Sequence, residues 1–403
     1  MAEPTCAEPK GAEPTAAKKA GAAGALSAEQ HAAAMADYLE DGRARALALG
    51  NRGPLRFTDS RRLHPEILEA YWAQGFYVFE DVLEARELAE LRAGIEQLFE
   101  RAPASPGAMV DAAGRPPLGH DITRDTYLWV RPLADPVGGT SANGGRHPSK
   151  MSEPVPAADA PDKVIYMMFN MCETTDAGLR LYGHPGLLAV AEAINGPDFT
   201  PYNDAIFVKQ PGLGASVAWH QDGLTHWDAP DWDEGIHGFN FQVQLYDCTP
   251  ANCLWVVPGT HKLGRVDIKA LVAANGGSDR LPDAVPLFCD AGGVTIVNRQ
   301  ALHGSFANTS EQLRVSLTFG FHRRAAVLGQ RGAIVVSSDH VYDEARIFER
   351  SSVIATAIDA RARHFLDEVP YQYAPFAGLM DQYRWDESAR ERLHNYSQLD
   401  IGI

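Results

Sequence analysis

Apolar and polar side chains alternate along several short stretches in the second half of the chain. In residues 314–321 the odd positions are Val, Leu, Phe and Phe, and residues 240–246 show the same alternation. Successive side chains of a strand point to opposite faces, so each stretch predicts a strand with one polar and one apolar face. Short strands are expected at residues 205–209, 238–246, 254–257, 293–298 and 313–321. Their spacing between residues 200 and 322 predicts an antiparallel sandwich or barrel, the double-stranded β-helix of the jelly-roll class.

The polar side chains on these strand faces need hydrogen-bond or ionic partners if they are buried. If helices cover the outside of the barrel, the polar rows that contain Gln242 and Arg314 lie inside it. Buried polar groups are hydrogen-bonded or paired with charge, and a metal ion with an anionic ligand would satisfy them. The pattern therefore favours a polar cavity inside the barrel.

Helical signals precede the β-rich region. Ser27 and Gln30 form a predicted capping box, and Pro65 begins a second helix that ends before Gly75. Residues 76–82 then predict a short strand, and the segment after it has leucines and an isoleucine at helical spacing. A helix with an apolar face of this kind is expected to pack on a sheet.

These elements divide the chain into three parts. Residues 1–26 consist mainly of Ala, Glu, Pro, Lys and Gly and predict a disordered tail. Residues 27–325 are expected to form one domain around the jelly-roll core. Residues 326–403 predict a mainly helical extension, with helices at 358–366 and 387–396, which could form a homodimer contact or cover one barrel face. The predicted fold is mainly β, flanked by N-terminal and C-terminal helices.

One long connection interrupts this order. Residues 103–160 are rich in Pro, Gly and Asp and show little periodicity. A connection of that length is either disordered or functional, and it would suit a lid over a binding site.

Composition and charge narrow the classes of function. The net charge of −16 argues against nucleic acid or an anionic membrane as a partner, because Lys and Arg dominate binding to phosphates. The sequence shows no apolar stretch long enough to span a membrane and no apolar core of a signal peptide, so a cytoplasmic location is expected. The five cysteines form no CxxC pair, which favours reduced, buried thiols over a disulfide framework or a zinc ribbon.

His220 and Asp222 are the first candidates for chemistry. They lie two positions apart after Trp219, so both side chains lie on the same side of an extended strand end. A His and a carboxylate in that arrangement can bind one metal ion at neighbouring positions. With a third ligand they would form the facial triad of non-haem Fe(II) oxygenases, which leaves positions open for a co-substrate and O₂. An HxD pair alone is a weak signal, since it also occurs in capped turns.

His303 and Arg314 strengthen this interpretation. His303 follows a predicted strand, and a turn-rich segment separates it from Arg314 on the next strand. If the two strands are antiparallel, the Arg314 guanidinium can point into the cavity near the metal. A 2-oxoglutarate molecule that chelates iron needs a fixed cation at its far carboxylate. Arg can donate two parallel hydrogen bonds to that carboxylate.

Five other residues compete for places in such a site. His261 is the main rival as third metal ligand, but a turn precedes it and no Arg-bearing strand follows at a matching distance. His226 and His237 would line a substrate cleft or lie in an exposed loop. Lys209 could reach the cavity, although a solvent-facing lysine is the commoner outcome. Tyr166, beside Met167 and Met168 in a core strand, is left without a role.

Four motifs together give a family resemblance. They are the sequences WHQD at 219–222, NCLWVVPGTH at 252–261, the glycine pair at 292–293 and HGSFANTSEQLR at 303–314. In order and spacing, residues 60–325 resemble the phytanoyl-CoA dioxygenase family. The pattern is specific for the superfamily but says little about the substrate. One departure is Ala291-Gly-Gly, where many relatives have a Gly-Asp turn.

The resemblance implies a jelly-roll core, Fe(II) and 2-oxoglutarate. It implies that His220, Asp222 and His303 bind the metal and that Arg314 binds the co-substrate carboxylate. Ser305 and Gln242 match positions that often contact 2-oxoglutarate. These six residues are the predicted site. Because the acidic ligand Asp222 is present, the halide-binding variant of the site is disfavoured.

The expected activity is that of a 2-oxoglutarate-dependent dioxygenase. With O₂ it would hydroxylate an unactivated C–H bond of a small-molecule metabolite and release succinate and CO₂. One alternative is a metal-dependent, cupin-like isomerase or dioxygenase that does not use 2-oxoglutarate, which gives no reason for Arg314. A non-catalytic barrel is the other alternative, and an intact triad argues against it.

Overall fold

The computed structural model describes residues 26–122, 124–332 and 341–396, and its strands form an eight-stranded and a four-stranded sheet. The strands are β1 (Arg52–Pro54), β2 (Phe76–Glu80), β3 (Tyr127–Val130), β4 (Val164–Phe169), β5 (Thr200–Lys209), β6 (Val217–His220), β7 (Phe239–Gln244), β8 (Trp255–Val256), β9 (Val285–Pro286), β10 (Val294–Asn298), β11 (His303–Ser305) and β12 (Arg314–His322). Their order is β1-β2-β10-β7-β12-β5-β4-β3 in the large sheet and β6-β11-β8-β9 in the small one. All neighbours except β1 and β2 pair antiparallel. The predicted double-stranded β-helix is confirmed, and the large sheet also includes strands before residue 200.

Helices cover the outer face of the large sheet. The helices are α1 (Ala28–Leu49), α2 (Pro65–Gln74), α3 (Ala85–Glu100), α4 (Met171–Thr174), α5 (Asp176–Tyr182), α6 (Pro185–Asn195), α7 (Ile268–Ala274), α8 (Arg324–Val327), α9 (Glu344–His364) and α10 (Ala389–Tyr396). Apolar residues of α3, α5, α6, α9 and α10 join Phe241, Val315 and Leu317 in the largest hydrophobic cluster. The apolar faces of β7 and β12 therefore point outward under helices, as their alternation predicts.

The polar faces of β7 and β12 point inward and lie side by side. Ser316 is in register with Gln244, and Thr318 is in register with Gln242. Ser316 donates a hydrogen bond of 2.6 Å to the Gln244 side chain, and both residues are buried. The barrel interior is polar, as the sequence indicates.

Several predicted helices are confirmed and others were not foreseen. The capping box at Ser27, the helix that begins at Pro65 and the amphipathic helix α3 are all present. The predicted helix at 358–366 is the end of a longer helix, α9. Helix α6 was not foreseen, and most of its residues are apolar and buried. Of the tail predicted for residues 1–26, residues 1–25 lie outside the described residues.

The end of helix α2 requires a glycine at position 75. Its φ of +82° lies in the left-handed region that favours glycine. A Cβ atom there would also lie 2.6 Å from Nδ1 of His261, which is nearer than real Cβ contacts occur. Gly75 therefore ends α2 and leaves room for His261 between that helix and the small sheet.

The connection at 103–160 is described almost throughout. It contains β3. Within its part at residues 131–155, the Asp135 carboxylate accepts hydrogen bonds from the backbone of Gly138 and Met151 at 2.8 and 2.7 Å. The end of this 131–155 segment pairs with the start of α1, through the backbone of Ser27 and Val155. These bonds fix the path of the segment as it approaches the small sheet.

A buried ion pair joins the C-terminal extension to the domain before it. The Arg361 guanidinium on α9 donates to both carboxylate oxygens of Glu87 on α3, at 2.6 and 3.0 Å, and it also binds Glu368. Burial opposes the charge on Arg361, but the two carboxylates raise its pKa above the usual value. Glu87 and Arg361 are both buried, so removing Glu87 would leave the buried Arg361 charge with Glu368 as its remaining described carboxylate partner.

Replacing Glu87 with glutamine is expected to destabilise the fold by about 3 kcal/mol, at the lower end for a broken buried pair because Arg361 keeps Glu368. Urea and thermal denaturation measure the effect. Glu66→Gln, which removes an exposed ion pair with Arg56, is the control and is expected to change nothing measurable. Equal stability of the Glu87 variant and the wild type would show that this pair does not hold α9 on the domain.

Two further sequence expectations bear on the described chain. Cys172, Cys248, Cys253 and Cys289 are buried free thiols, as predicted. In the described ranges, no helix combines the length and the apolar character needed to cross a bilayer.

Candidate functional site

His220, Asp222 and His303 meet inside the barrel, at the edge of the small sheet. His220 ends β6 and His303 begins β11, and the two residues are paired directly across these antiparallel strands. One potential ligand atom from each of the three residues lies within 4.8 Å of the others, and all three residues are buried. Nε2 of His220 is 3.6 Å from one Asp222 carboxylate oxygen, and Nε2 of His303 is 3.8 Å from the other.

The two imidazole rings are held in the same way. Nδ1 of each ring lies 2.8 Å from a backbone carbonyl oxygen two residues earlier, that of Ala218 for His220 and that of Ala301 for His303. The Nδ1–H tautomer donates in both cases, so each Nε2 lone pair points towards the centre of the site. Burial lowers the pKa of both histidines, which favours the neutral form that a metal requires.

Asp222 is surrounded by donors and cations. Its Oδ2 accepts a hydrogen bond of 3.1 Å from Nδ2 of Asn240 on β7. The Arg146 guanidinium lies 3.2 Å from Oδ1, and Nε of Arg299 lies 3.6 Å from Oδ2. Burial opposes ionisation of this carboxyl, yet the two guanidiniums hold its pKa well below the usual range. Asp222 is therefore a carboxylate with a fixed orientation.

Replacing Asn240 with alanine is expected to weaken metal binding by about 10- to 100-fold, the usual cost of losing a group that orients a ligand. Competition with a chelating dye measures the affinity for Fe(II) or a Zn(II) substitute. Gln244→Ala is a matched control, since Gln244 lies on the same inner face but binds Ser316. If both variants bind metal as tightly as the wild type, the Asn240 contact does not orient Asp222.

Arg146, His147 and Arg299 belong to this neighbourhood, and no sequence pattern predicted them there. The 131–155 segment carries His147, whose ring lies 4.2 Å from that of His220. Burial, and then Arg146, lower the pKa of His147 to about 3. Arg299 lies in the turn between β10 and β11, buried, and also contacts His322 at 3.1 Å. An aperiodic connection and a tight turn give no strand register, so the sequence carries no signal that places these residues.

The polar interior next to the triad contains Arg314, Gln242 and Ser305. Nη2 of Arg314 donates a 2.7 Å hydrogen bond to the Gln242 side chain across β12 and β7. Nε of Arg314 and the Ser305 hydroxyl are buried and have no hydrogen-bond partner among the described residues. Ser305 follows His303 by two positions on β11, so its side chain shares the inner face with that histidine. Unsatisfied groups of this kind are costly and suit a polar ligand.

Lys209 differs from the sequence expectation. A solvent-facing side chain was the commoner outcome, but only 1% of the residue is exposed. Lys209 is paired with Arg314 across β5 and β12, and its ammonium donates to the backbone carbonyl of Phe306. The side chain therefore points into the barrel, on the same face as Arg314.

The structure also places the other rival residues. His261 lies away from the triad, since its Nε2 is 3.0 Å from the Trp72 carbonyl oxygen at the end of α2. His237 is buried, with its ring 4.6 Å from that of Trp227, so it does not lie in an exposed loop. Tyr166, on β4, is buried in a small apolar cluster with Val130, Val164 and Ala215.

A family model gives the decisive comparison. The model of the phytanoyl-CoA dioxygenase family, PhyH, matches residues 71–316, which is more than half of the chain. The chain belongs to the phytanoyl-CoA dioxygenase family. The matched range includes β2 to β11 and the start of β12, and hence every residue of the predicted site. The resemblance seen in the four sequence motifs is thus confirmed.

Curated relatives are similar over part of their length. Phytanoyl-CoA dioxygenase 1 of Oryza sativa subsp. japonica is 32% identical over 117 residues, which are 27% of this chain and 40% of that protein. Phytanoyl-CoA dioxygenase domain-containing protein 1 of Danio rerio is 32% identical over 124 residues, 28% of this chain and 40% of that protein. The chain thus matches about two fifths of the length of these relatives.

Some solved structures are similar to this chain at low sequence identity. EctD from S. alaskensis, solved with 2-oxoglutarate and 5-hydroxyectoine, has 19% identity and a TM-score of 0.46, covering 70% of this chain and 83% of that one. AviO1 from Streptomyces viridochromogenes Tue57 has 21% identity and a TM-score of 0.43, covering 63% and 92%. No statement about the substrate of this chain follows from them.

Proposed function

We propose that this protein is an Fe(II)- and 2-oxoglutarate-dependent oxygenase that hydroxylates a C–H bond of a small-molecule metabolite. The observation that carries the proposal is the convergence of two histidines and one aspartate inside the barrel. Arg314, a buried cation without an acidic partner among the described residues, lies on the inner face of the same barrel. The family to which the chain belongs supports the same assignment.

The donor set of His220, Asp222 and His303 fits a divalent iron ion. Two imidazole nitrogens and one carboxylate form the set typical of non-haem Fe(II) oxygenases, with positions left for other ligands. Bound Fe(II) would activate O₂ for the decarboxylation of 2-oxoglutarate and the oxidation of the substrate. The backbone carbonyls of Ala218 and Ala301 would keep both rings in the ligating tautomer.

The inner polar residues fit the far carboxylate of 2-oxoglutarate. Within the described ranges, Nε of Arg314 and the Ser305 hydroxyl have no hydrogen-bond partner. A carboxylate accepts hydrogen bonds from both groups and compensates the buried charge. Gln242 would hold the guanidinium in place through the 2.7 Å bond already present. The rest of the chain would exclude water from this end, since these residues are all buried.

Fe(II)-dependent formation of succinate from 2-oxoglutarate in air tests the proposed function. The purified protein is expected to release succinate with Fe(II), and Asp222→Ala is expected to release none above the background of free iron. Mixtures of metabolites can then be screened for compounds that accelerate the release. Metal binding and O₂ consumption without any loss of 2-oxoglutarate would favour the cupin-like dioxygenase instead.

A further inference from the structure

Two buried cations lie side by side at one end of the barrel interior. Lys209 and Arg314 are paired across β5 and β12, with 1% and 2% of each residue exposed. Among the described residues, no carboxylate lies within ion-pair distance of either side chain. The described part of the chain therefore offers no carboxylate to compensate positive charge at this end of the barrel.

This arrangement has a large free-energy cost unless a ligand neutralises the buried positive charge. A buried charge without a partner is strongly unfavourable, and two like charges on neighbouring strands add repulsion. Burial, followed by the proximity of Arg314, lowers the pKa of Lys209 well below its usual value. An apolar side chain at position 209 would avoid the cost, so the lysine is poorly explained by stability alone.

The position of the ammonium group indicates what the lysine does. It is bonded to the carbonyl of Phe306, the residue that follows Ser305, and the buried Ser305 hydroxyl has no hydrogen-bond partner among the residues described. An ammonium group has three donors, and one hydrogen bond to a described residue accounts for one of them. Lys209, Ser305 and Arg314 thus line the same end of the interior from β5, β11 and β12.

We propose that Lys209 is a second cationic binding residue for the far carboxylate of the co-substrate, acting beside Arg314. This inference rests on the proposed function. Two cations and a hydroxyl favour a 2-oxo acid that ends in a carboxylate over one that ends in a methyl group. Lys209 therefore contributes to the selectivity of the pocket for a dicarboxylic 2-oxo acid.

The test compares two co-substrates that differ only at the far end. The probes are 2-oxoglutarate and 2-oxopentanoate, which has the same carbon chain with a methyl group in place of the far carboxylate. Binding to Fe(II)-loaded protein is titrated without oxygen from the visible absorption of the chelate. The variants are Lys209→Met, which is similar in length and uncharged, and the control Lys262→Met at an exposed position.

Lys209→Met is expected to bind 2-oxoglutarate about 10-fold or more weakly, the usual scale for losing a hydrogen bond to a charged group. Its affinity for 2-oxopentanoate is expected to stay within about twofold of the wild type, because that probe has no charge at its far end. The melting temperature of the metal-free variant is expected to be unchanged or higher, since a buried amine has been removed. Lys262→Met is expected to change none of these quantities.

Each other outcome overturns the inference. Unchanged affinity for 2-oxoglutarate would show that Lys209 does not contact the co-substrate. Equal weakening of both probes together with a lower melting temperature, or failure of the variant to fold, would show that Lys209 only supports Phe306. If the wild type binds neither probe, the proposed function itself fails, and this result is distinct from the others.

Discussion

Replacing His303 with alanine is expected to abolish tight Fe(II) binding and 2-oxoglutarate turnover. The change removes one of three ligand atoms that lie within 4.8 Å of one another, and Asp222 and His220 alone cannot form a facial triad. The loss in metal affinity is expected to exceed about 100-fold, the upper end of what the loss of an outer-shell partner costs. Equilibrium dialysis against Fe(II) and succinate release measure the two effects.

His261→Ala is the matched control for this variant. His261 is also a buried histidine and was the main rival as third ligand, but its Nε2 contacts the Trp72 carbonyl. This control is expected to lower the melting temperature through the lost hydrogen bond while it keeps the affinity for iron. Loss of iron from the His261 variant and not from the His303 variant would show that the triad is assigned to the wrong histidine.

Replacing Arg314 with methionine is expected to weaken 2-oxoglutarate binding by about 30-fold or more, because truncating one partner of a buried charge pair costs roughly 2–5 kcal/mol. Iron binding is expected to remain, since the Arg314 side chain bonds to Gln242 and not to His220, Asp222 or His303. Arg314→Lys keeps the charge but cannot donate two parallel hydrogen bonds to one carboxylate. Its affinity for 2-oxoglutarate is therefore expected to lie between those of the wild type and the methionine variant.

Anaerobic titration of Fe(II)-loaded protein with 2-oxoglutarate gives these affinities. Two results would contradict the role of Arg314. One is an affinity of the methionine variant equal to that of the wild type. The other is a parallel loss of iron, which would indicate a structural role for the side chain.

The HxD pair and the inner polar row could be predicted because each depends on local spacing. His220 and Asp222 lie two positions apart at a strand end, and the alternation in β12 places Arg314 on its polar face. A strand period of two fixes such relations without any knowledge of the fold. The family resemblance supplied Ser305 and Gln242, which the structure places in the same interior.

The remaining site residues depend on tertiary register and on connections without a period. Arg146 and His147 reach the triad because the 131–155 segment is fastened around Asp135, and backbone bonds of this kind leave no pattern in sequence. Lys209 shares a face with Arg314 only through the pairing of β5 with β12. A lysine at a strand end is usually exposed, so its burial could not be predicted from residue type.

The most direct measurement is the visible charge-transfer absorption of the iron–2-oxoglutarate chelate, recorded when Fe(II) and then 2-oxoglutarate are added to the metal-free protein without oxygen. A band that forms in the wild type, is absent in His220→Ala and is weaker in Arg314→Met would agree with the account. Iron binding without any band would contradict the use of 2-oxoglutarate, and no iron binding would contradict the metal site as well.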